Sequence, residues 1–337
     1  MRIAIDAMGG DHAPASIVEG AVLGARDFGI GIDLVGDEPR VREALVGLST
    51  KGLDIEVVHA EQAVAMDESP SQVVRRKRKS SIWLANERVA DGTCQAVISA
   101  GNTGACMATS LFVLKTLPGV ERPAIAAPVP TVAGHSLMLD VGANVDCKAE
   151  HLVQFAFMGH EYAKHVSDLT APRVGLLSVG EEESKGSTLI RDVHVRLKDL
   201  PINFIGNVEG RDIYNGNADV IVCDGLLGNV ALKASEGLAE AIMQMLKTEI
   251  ARTTFGKLGY MLLKPAFDHF KKRTSYAEYG GAPLLGLNGI SIIAHGCSDP
   301  WAIRNAVGVA KRQYDGKVEA HIVADIESSA LVGEGAP

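Results

Sequence analysis

The sequence has few cysteines, and their arrangement excludes two kinds of scaffold. Its 337 residues include five, namely Cys94, Cys106, Cys147, Cys223 and Cys297, which are scattered, odd in number and free of any C-x-x-C pair. A disulfide framework or a zinc knuckle requires paired, closely spaced cysteines. The pattern therefore fits a protein of the reducing cytoplasm and argues against both scaffolds. No motif of the sequence predicts a cofactor.

Long hydrophobic runs are also missing. No stretch of about 18 uninterrupted apolar residues occurs, so no segment is predicted to span a membrane. The first residues, 1–6, enter a strand-like pattern directly, without the charged and apolar regions of a signal peptide.

Positive charge is in deficit, because 33 Lys and Arg stand against 41 Asp and Glu, giving a net charge of −8. This balance argues against nucleic-acid binding. An acidic partner must be met by a local basic patch. The densest one is Arg75, Arg76, Lys77, Arg78 and Lys79. It is either a solvated helix face or a docking site for an acidic protein or a phosphate group.

Several catalytic motifs are absent. No G-x-G-x-x-G follows the first predicted strand, which excludes the usual dinucleotide fingerprint. Lys185 precedes the last glycine of its loop, so residues 180–186 do not form a Walker A motif. His160 and His165 are spaced one residue too widely for H-E-x-x-H. Neither a metal site nor a covalent nucleophile is predicted.

Short apolar segments alternating with helical patterns dominate what is present. Strands are predicted at residues 2–6, 32–35, 55–59, 96–99, 136–141, 174–179, 203–205, 220–223 and 290–294. One helix is predicted over residues 70–90 and a proline-bearing link over 118–130. This alternation predicts an α/β protein, a three-layer α/β/α fold with a mostly parallel sheet. Residues 1–337 are expected to form a single domain, built as one unit or as two lobes.

Polar, glycine-containing loops follow five of the predicted strands, at residues 9–12, 99–104, 140–146, 180–187 and 224–229. Ligands of parallel sheets bind at the carboxyl ends of the strands, so we expect these loops to converge on one edge. A strand followed by a glycine loop and a helix start is suited to holding an anion, and Lys185 can supply a point charge. The alternative for any one loop is a solvated turn.

Residues 230–275 have a different pattern and predict a protruding helical hairpin. A long helix to about Ala251 is followed by apolar residues around 255–263 with Lys257 and Lys264 on either side. Apolar side chains at the tip of a hairpin fit shallow insertion into a membrane surface. A dimer interface is an equally good explanation, and both can hold.

Seven stretches together resemble the PlsX family of bacterial phosphate acyltransferases. They are residues 5–11, 99–105, 139–144, 180–186, 206–212, 223–232 and 279–286, and the resemblance runs from residue 1 to about residue 325. It implies a fold akin to isopropylmalate dehydrogenases and phosphotransacetylases. It also implies acyl transfer from acyl-acyl carrier protein to inorganic phosphate, giving acyl phosphate for phospholipid synthesis and for a downstream glycerol-3-phosphate acyltransferase. A cytoplasmic homodimer, peripherally associated with the membrane, is implied as well.

The resemblance assigns a catalytic lysine and asparagine to Lys185 and Asn229. Phosphate is already an anionic nucleophile, so the reaction needs positioned phosphate and oxyanion donors rather than an acyl-enzyme. Lys185 is expected to bind phosphate, and Asn229 to bind phosphate or the thioester carbonyl; a plain helix cap is the alternative for Asn229. The other expected substrate-binding residues are Gly9, Gly10, Asn102, Thr103, Gly104, Asn144, Gly180, Ser184, Gly186 and His295. The expected membrane contacts are Leu258, Tyr260, Met261, Leu262 and Leu263.

Four aspartates recur at the predicted strand ends: Asp6, Asp11, Asp140 and Asp224. Because carboxylates would repel phosphate, most of them are expected to cap helices or bind backbone amides. The acids at residues 181–183 receive no role from the sequence.

Three other functions fit parts of the pattern. One is a phosphotransacetylase acting on acyl-coenzyme A, and another is a decarboxylating dehydrogenase of the related fold. The third is a non-catalytic, membrane-associated scaffold.

Overall fold

The computed structural model describes residues 1–274 and 276–333. Strands and helices alternate through residues 1–131. In order they are β1 (Arg2–Asp6), α1 (Ala15–Phe28), β2 (Gly31–Gly36), α2 (Glu38–Leu45), β3 (Ile55–His59), α3 (Pro70–Arg76), α4 (Ser81–Ala90), β4 (Ala96–Ser99), α5 (Thr103–Leu114) and β5 (Ala124–Thr131).

The remaining described residues continue the alternation and add the hairpin. They form β6 (Gly134–Leu139), α6 (Ala149–Val166), β7 (Val174–Leu177), α7 (Thr188–Lys198), β8 (Phe204–Val208), α8 (Asp212–Asn215), β9 (Val220–Val222), α9 (Gly225–Ala251), α10 (Thr254–Thr274), α11 (Tyr276–Tyr279), β10 (Ala282–Leu285), β11 (Ile290–Ile293), α12 (Pro300–Asp315) and α13 (Val318–Gly333).

One sheet carries all eleven of these strands, in the order β3-β2-β1-β4-β11-β10-β5-β6-β9-β7-β8. Seven of the strand pairings are parallel, and three at the centre are antiparallel: β11 with β10, β10 with β5, and β5 with β6. Buried clusters fill both faces. The clusters around Phe155 of α6 and around Ile17 of α1 and Val307 of α12 share one face, and the cluster that includes Ile82 and Ala85 of α4 covers the other. The predicted α/β fold with a mostly parallel sheet is confirmed.

The central antiparallel pairings reverse the direction of half the sheet. Strands β1–β4 and β11 run one way, whereas β6, β7, β8 and β9 run the other way. The prediction that all five polar loops converge on one edge is therefore wrong. They form two groups at opposite edges, because a sequence pattern indicates strands but not which of them pair antiparallel.

The region predicted to be a proline-bearing link contains strand β5. Its Ile125 N–H points toward β6, where it donates to Asp140 Oδ1. N–H groups point alternately to the two sides of a strand. Pro128 and Pro130, which have no N–H, occupy positions whose N–H would point away from β6, toward β10. On that side β10 pairs only with Ala124 and Ile125, so the prolines interrupt no hydrogen bond there.

The predicted single helix over residues 70–90 is two helices, α3 and α4. The chain between them pairs with Gln62, whose N–H donates to Lys79 O while its carbonyl accepts from Ser81 N. The break divides the basic run. Lys77 and Lys79 form ion pairs with Glu68 and Glu61.

Helices α9 and α10 follow one another and pack together as a hairpin. Helix α9 begins at Gly225, five residues before the predicted start, because the Asp224 side chain caps it by accepting a hydrogen bond from Leu227 N at 2.8 Å. Of its 27 residues only Gly225 and Gly228 are buried. Residue 275, the last of the predicted hairpin, lies outside the described residues. Within the described ranges, none of the helices combines the length and apolarity needed to cross a membrane.

Candidate active site

A cavity of ≈ 320 Å³ lies over the centre of the sheet, where the two sets of strands meet. Strand β10 is four residues long, or roughly 13 Å, so the opposite edges are close enough for one cavity to reach both. Its apolar wall includes Ile125, Ala127, Val141, Leu232 and Ile293. Its polar groups come from Thr103, Asn229, Lys233, Glu236, Tyr279 and His295. Three of the predicted site residues, Thr103, Asn229 and His295, are therefore brought together.

Asn229 lies in the first turns of α9 and faces Gly142. A Cβ on Gly142 would be 3.7 Å from the Asn229 side chain, and one on Gly228 would be 1.8 Å from Asp140 O. Glycine at position 228 thus lets α9 press against the end of β6. The cap of α9 is Asp224, so Asn229 is not a plain helix cap. No hydrogen bond to another described residue occupies its exposed amide.

His295 follows β11, and its Nδ1 accepts a hydrogen bond from Cys297 N at 3.3 Å. A neutral ring in this arrangement carries its proton on Nε2. The exposed Cys297 thiol lies 3.1 Å from the same Nδ1. The sequence alone assigns no role to Cys297, although it follows the predicted site residue His295 by two positions.

The buried aspartates hold backbone amides, as expected. Asp6 accepts hydrogen bonds from Ser99 Oγ (2.7 Å) and Met8 N (3.2 Å). Asp140 accepts from Ile125 N (3.0 Å), Ala143 N (3.1 Å) and Asn144 N (2.7 Å). Burial raises the pKa of both carboxyl groups. They fix the loops around the cavity instead of lining it.

Two predicted substrate-binding asparagines also serve the scaffold. Asn102 Oδ1 accepts from Ala105 N at 2.8 Å as the cap of α5, and its Nδ2 donates to Met66 O. Asn144 Nδ2 donates to Pro123 O at 2.7 Å and to Asp140 Oδ2 at 3.0 Å. Neither lines the cavity.

The predicted glycines of the first loops permit close approach. A Cβ on Gly9 would lie 2.6 Å from Asp6 Oδ2 and 2.8 Å from Gly101 N, so the loops after β1 and β4 touch only because this residue is glycine. The missing Cβ of Gly104 leaves room for Pro70 of α3. Gly9, Gly10 and Gly104 lie outside the cavity lining.

The loop at residues 180–187 stands apart from the cavity. It follows β7, the neighbour of β9, and its predicted residues Gly180, Ser184, Lys185 and Gly186 do not line the cavity. Lys185 is exposed and makes no ion pair within the described chain; its N–H donates to Glu182 O at 2.9 Å. The structure thus does not bring Lys185 together with Asn229 in the lining.

The three acids of this loop hold it in place. Glu181 pairs with Arg211 at 2.9 Å, and Glu183 pairs with Lys198. The carbonyl of Glu182 accepts from Asn207 Nδ2 at 3.0 Å. These contacts give the carboxylates of Glu181 and Glu183 a role that the sequence did not reveal, whereas Glu182 contributes through its backbone.

Lys233 is a cation at the cavity wall that the sequence did not predict. It follows Asn229 by one helical turn and is the lysine among the described lining residues. Its Nζ lies 2.8 Å from Glu236 Oε2, so its charge is already compensated. The i, i+4 spacing from Asn229 was the available signal.

Comparison with known proteins gives a consistent result. The family model of the fatty acid synthesis protein matches residues 1–321. The chain is 53% identical over 341 residues to a phosphate acyltransferase of Citrifermentans bemidjiense, with 100% of this chain and 97% of that protein covered. It is 55% identical over 310 residues to that of Geobacter sulfurreducens, covering 92% and 90%.

A solved phosphotransacetylase from Streptococcus pyogenes superposes with a TM-score of 0.62 at 16% identity, covering 93% of this chain and 94% of that one. At such low identity the likeness shows the fold alone.

Proposed function

The chain belongs to the fatty acid synthesis protein family and is a phosphate acyltransferase; from this premise we propose that it transfers a fatty acyl group from acyl-acyl carrier protein to inorganic phosphate. The products are acyl phosphate and the free carrier thiol. Acyl phosphate is an activated donor, which a glycerol-3-phosphate acyltransferase would consume in phosphatidic acid synthesis. The observation that carries the proposal is the largely apolar cavity with the Asn229 amide at its wall.

The cavity supports direct attack by phosphate. Thr103 is the first residue of α5, and the exposed N–H groups at a helix start bind anions. Bound phosphate would attack the thioester carbon, and the Asn229 amide would donate to the oxyanion. The carbon–sulfur bond then breaks; His295 Nε2–H would donate a hydrogen bond to the leaving thiolate, which takes its proton from solvent. The apolar wall would hold the first carbons of the acyl chain.

The basic run at residues 75–79 is proposed to dock the carrier protein. Of its five cations, Lys77 and Lys79 are paired, and Arg78 stacks on Trp83 and Phe112 at 5.4 and 5.6 Å. Arg75 and Arg76 make no ion pair in the described part of the chain. Both lie on α3, which packs beside α5 and so near the cavity.

The activity is tested by incubating purified protein with phosphate and either acyl-acyl carrier protein or acyl-coenzyme A, and by measuring acyl phosphate by mass spectrometry. We expect product from both or from the carrier alone, with the larger kcat/KM for the carrier. Arg75→Glu with Arg76→Glu should raise the KM for the carrier substrate only.

A larger kcat/KM for acyl-coenzyme A would support a phosphotransacetylase-like enzyme instead. Absence of any acyl phosphate would support a scaffold. An unchanged KM in the charge-reversed variant would indicate that the basic run is a solvated helix face and does not dock the carrier protein.

A homodimer is proposed through α9. Leu238, Ile242 and Met245 follow each other at i, i+4 and i+7, and all three are exposed. This spacing places them on one stripe of the helix, as in a paired-helix seam. A hollow of ≈ 350 Å³ between α9 and α10, lined by Leu246 and Phe267 among others, would also be filled in such an assembly.

Peripheral attachment of a cytoplasmic protein to the membrane is proposed through the turn of the hairpin. Leu258, Met261 and Leu262 share one exposed face of α10, together with Leu263 beside them. Phe255, at the turn itself, is 87% exposed. It was not among the membrane contacts predicted from the sequence. Tyr260 differs, because it packs on Phe267 with ring centroids 5.1 Å apart.

The double substitution Leu258→Glu with Leu262→Glu is expected to abolish cosedimentation with phosphatidylglycerol vesicles. Glutamate places charge at a face that would otherwise enter the interface. Acyl phosphate formation in solution should stay unchanged. The matched control is Val46→Glu, an exposed apolar side chain far from the hairpin. Retained vesicle binding would show that this face does not contact the membrane. A change of sedimentation from dimer to monomer would show that it forms the dimer interface.

A further inference from the structure

Helices α6 and α13 bring together two histidines and two carboxylates at the end of α6, away from the cavity. Glu161 Oε2 lies 3.1 Å from His165 Nε2 and 4.0 Å from His321 Nδ1. The donor atoms of these three side chains all lie within 4.8 Å of one another. Asp325 follows His321 by one turn of α13, and its carboxyl interacts with that of Glu161.

We propose that this cluster binds a zinc ion through Glu161, His165 and His321, with Asp325 as the fourth ligand. The two ligand pairs are Glu161 with His165 and His321 with Asp325, each at i, i+4 on its own helix, so each pair shares a helix face. Two imidazoles and two carboxylates form a donor set that suits tetrahedral zinc.

The ligand atoms, now up to 4.8 Å apart, must draw together for zinc to bind. Ligand atoms around tetrahedral zinc lie roughly 3.4 Å apart, given metal–ligand bonds of about 2.1 Å. His321 has 46% of its side chain exposed and can therefore rotate toward the other ligands. Its ring already stacks on that of His165, with centroids 4.0 Å apart and planes 7° from parallel.

The surroundings orient the carboxylate of Glu161. Glu161 is only 2% exposed, and its other oxygen, Oε1, faces Lys164 Nζ at 3.5 Å and His160 Nε2 at 3.6 Å. These contacts leave Oε2 directed at His165 and His321.

The charge balance also favours a cation. Glu161 and Asp325 place two carboxyl groups side by side. A divalent ion bound between them would offset their mutual repulsion. His160 and His165 are spaced too widely to share a helix face, whereas Glu161 and His165 do share one, and α13 supplies the second ligand pair.

The position of the site indicates a structural role. Glu161 lies twelve residues along α6, about 18 Å from its start near the cavity. A bound zinc would pin α13 to α6. Binding should therefore raise the unfolding temperature and leave kcat unchanged.

The test is isothermal titration of the full-length protein, freed of metal by chelation and dialysis, with zinc chloride. We expect one saturable site per chain, and a Kd at least about 100-fold weaker in His321→Ala and in His165→Ala. His59→Ala is the matched control, because His59 is an exposed histidine whose Nδ1 accepts from Glu38 N, and it should leave the Kd unchanged. Cobalt loading should give the visible absorption of a tetrahedral site in the parent and not in His321→Ala.

Absence of a saturable site, or an unchanged Kd in His321→Ala, would overturn the proposal. So would equal weakening in His59→Ala, which would indicate scattered surface histidines. Magnesium binding as tight as zinc binding would identify a carboxylate site in place of the proposed one. The exposed His321 variant keeps the test decisive if replacement of the more buried His165 prevents folding.

Discussion

Replacement of Asn229 by alanine is expected to lower kcat by about 10²–10³, the usual cost of losing one oxyanion donor. The side chain is exposed at the cavity wall and is not the cap of α9, so its loss should not unfold the helix. The measurement is acyl phosphate formed per unit time at saturating substrates, with thermal unfolding followed in parallel.

Asn288→Ala is the matched control for this substitution. Asn288 is exposed outside the cavity, and its contact with Lys115 uses only its backbone N–H. Its kcat should equal that of the parent. If Asn229→Ala also kept the parental kcat, Asn229 would have no part in the chemistry, and the oxyanion donor would have to be sought among Thr103 and His295.

Replacement of Lys185 by alanine is expected to lower kcat by at least about 10² and to raise the KM for phosphate, since a positioned cation stabilises the charge that develops on transfer. Lys185 lies outside the cavity lining, but it is an exposed cation without an ion pair in the described chain, on the loop after the strand next to β9. An incoming phosphate dianion would attract such a side chain. The measurement is kcat and KM for phosphate at saturating acyl donor.

Lys233→Ala distinguishes the two lysines. Lys233 lines the cavity, but Glu236 compensates its charge at 2.8 Å, so we expect a much smaller effect. Lys185→Arg should recover part of the lost rate, because it restores the charge. The reverse order of effects would transfer the phosphate-binding role from Lys185 to Lys233.

Local patterns predicted most of the strands and helices, because periodicity and caps are local. β1, β3 and β4 have the predicted bounds. What failed depends on partners distant in sequence. The proline-containing β5 is a strand because β6 pairs with it, and the break after α3 exists because Gln62 pairs with residues 79–81.

The active site was also predictable only in part, because some of its contacts join residues that are distant in sequence. Asn229 could be assigned from the motif that contains it, whereas Lys233 joins the site only once α9 is placed against the cavity. Asn102 and Asn144 were expected to bind substrate. Their amides are instead bonded to backbone carbonyls more than 20 residues away, a use that no local pattern reveals.

The length of helix α9 also determines how far the product lies from the turn of the hairpin. Asn229 stands at its beginning and Ala251 at its end, so about 33 Å of helix separate the cavity from the turn of the hairpin. An acyl tail reaches roughly 15 Å, half the thickness of a bilayer core. With the hairpin upright on a membrane, the acyl phosphate could not enter the lipid before leaving the protein. A hairpin lying flat along the surface would bring the mouth of the cavity to the lipid and shorten that passage.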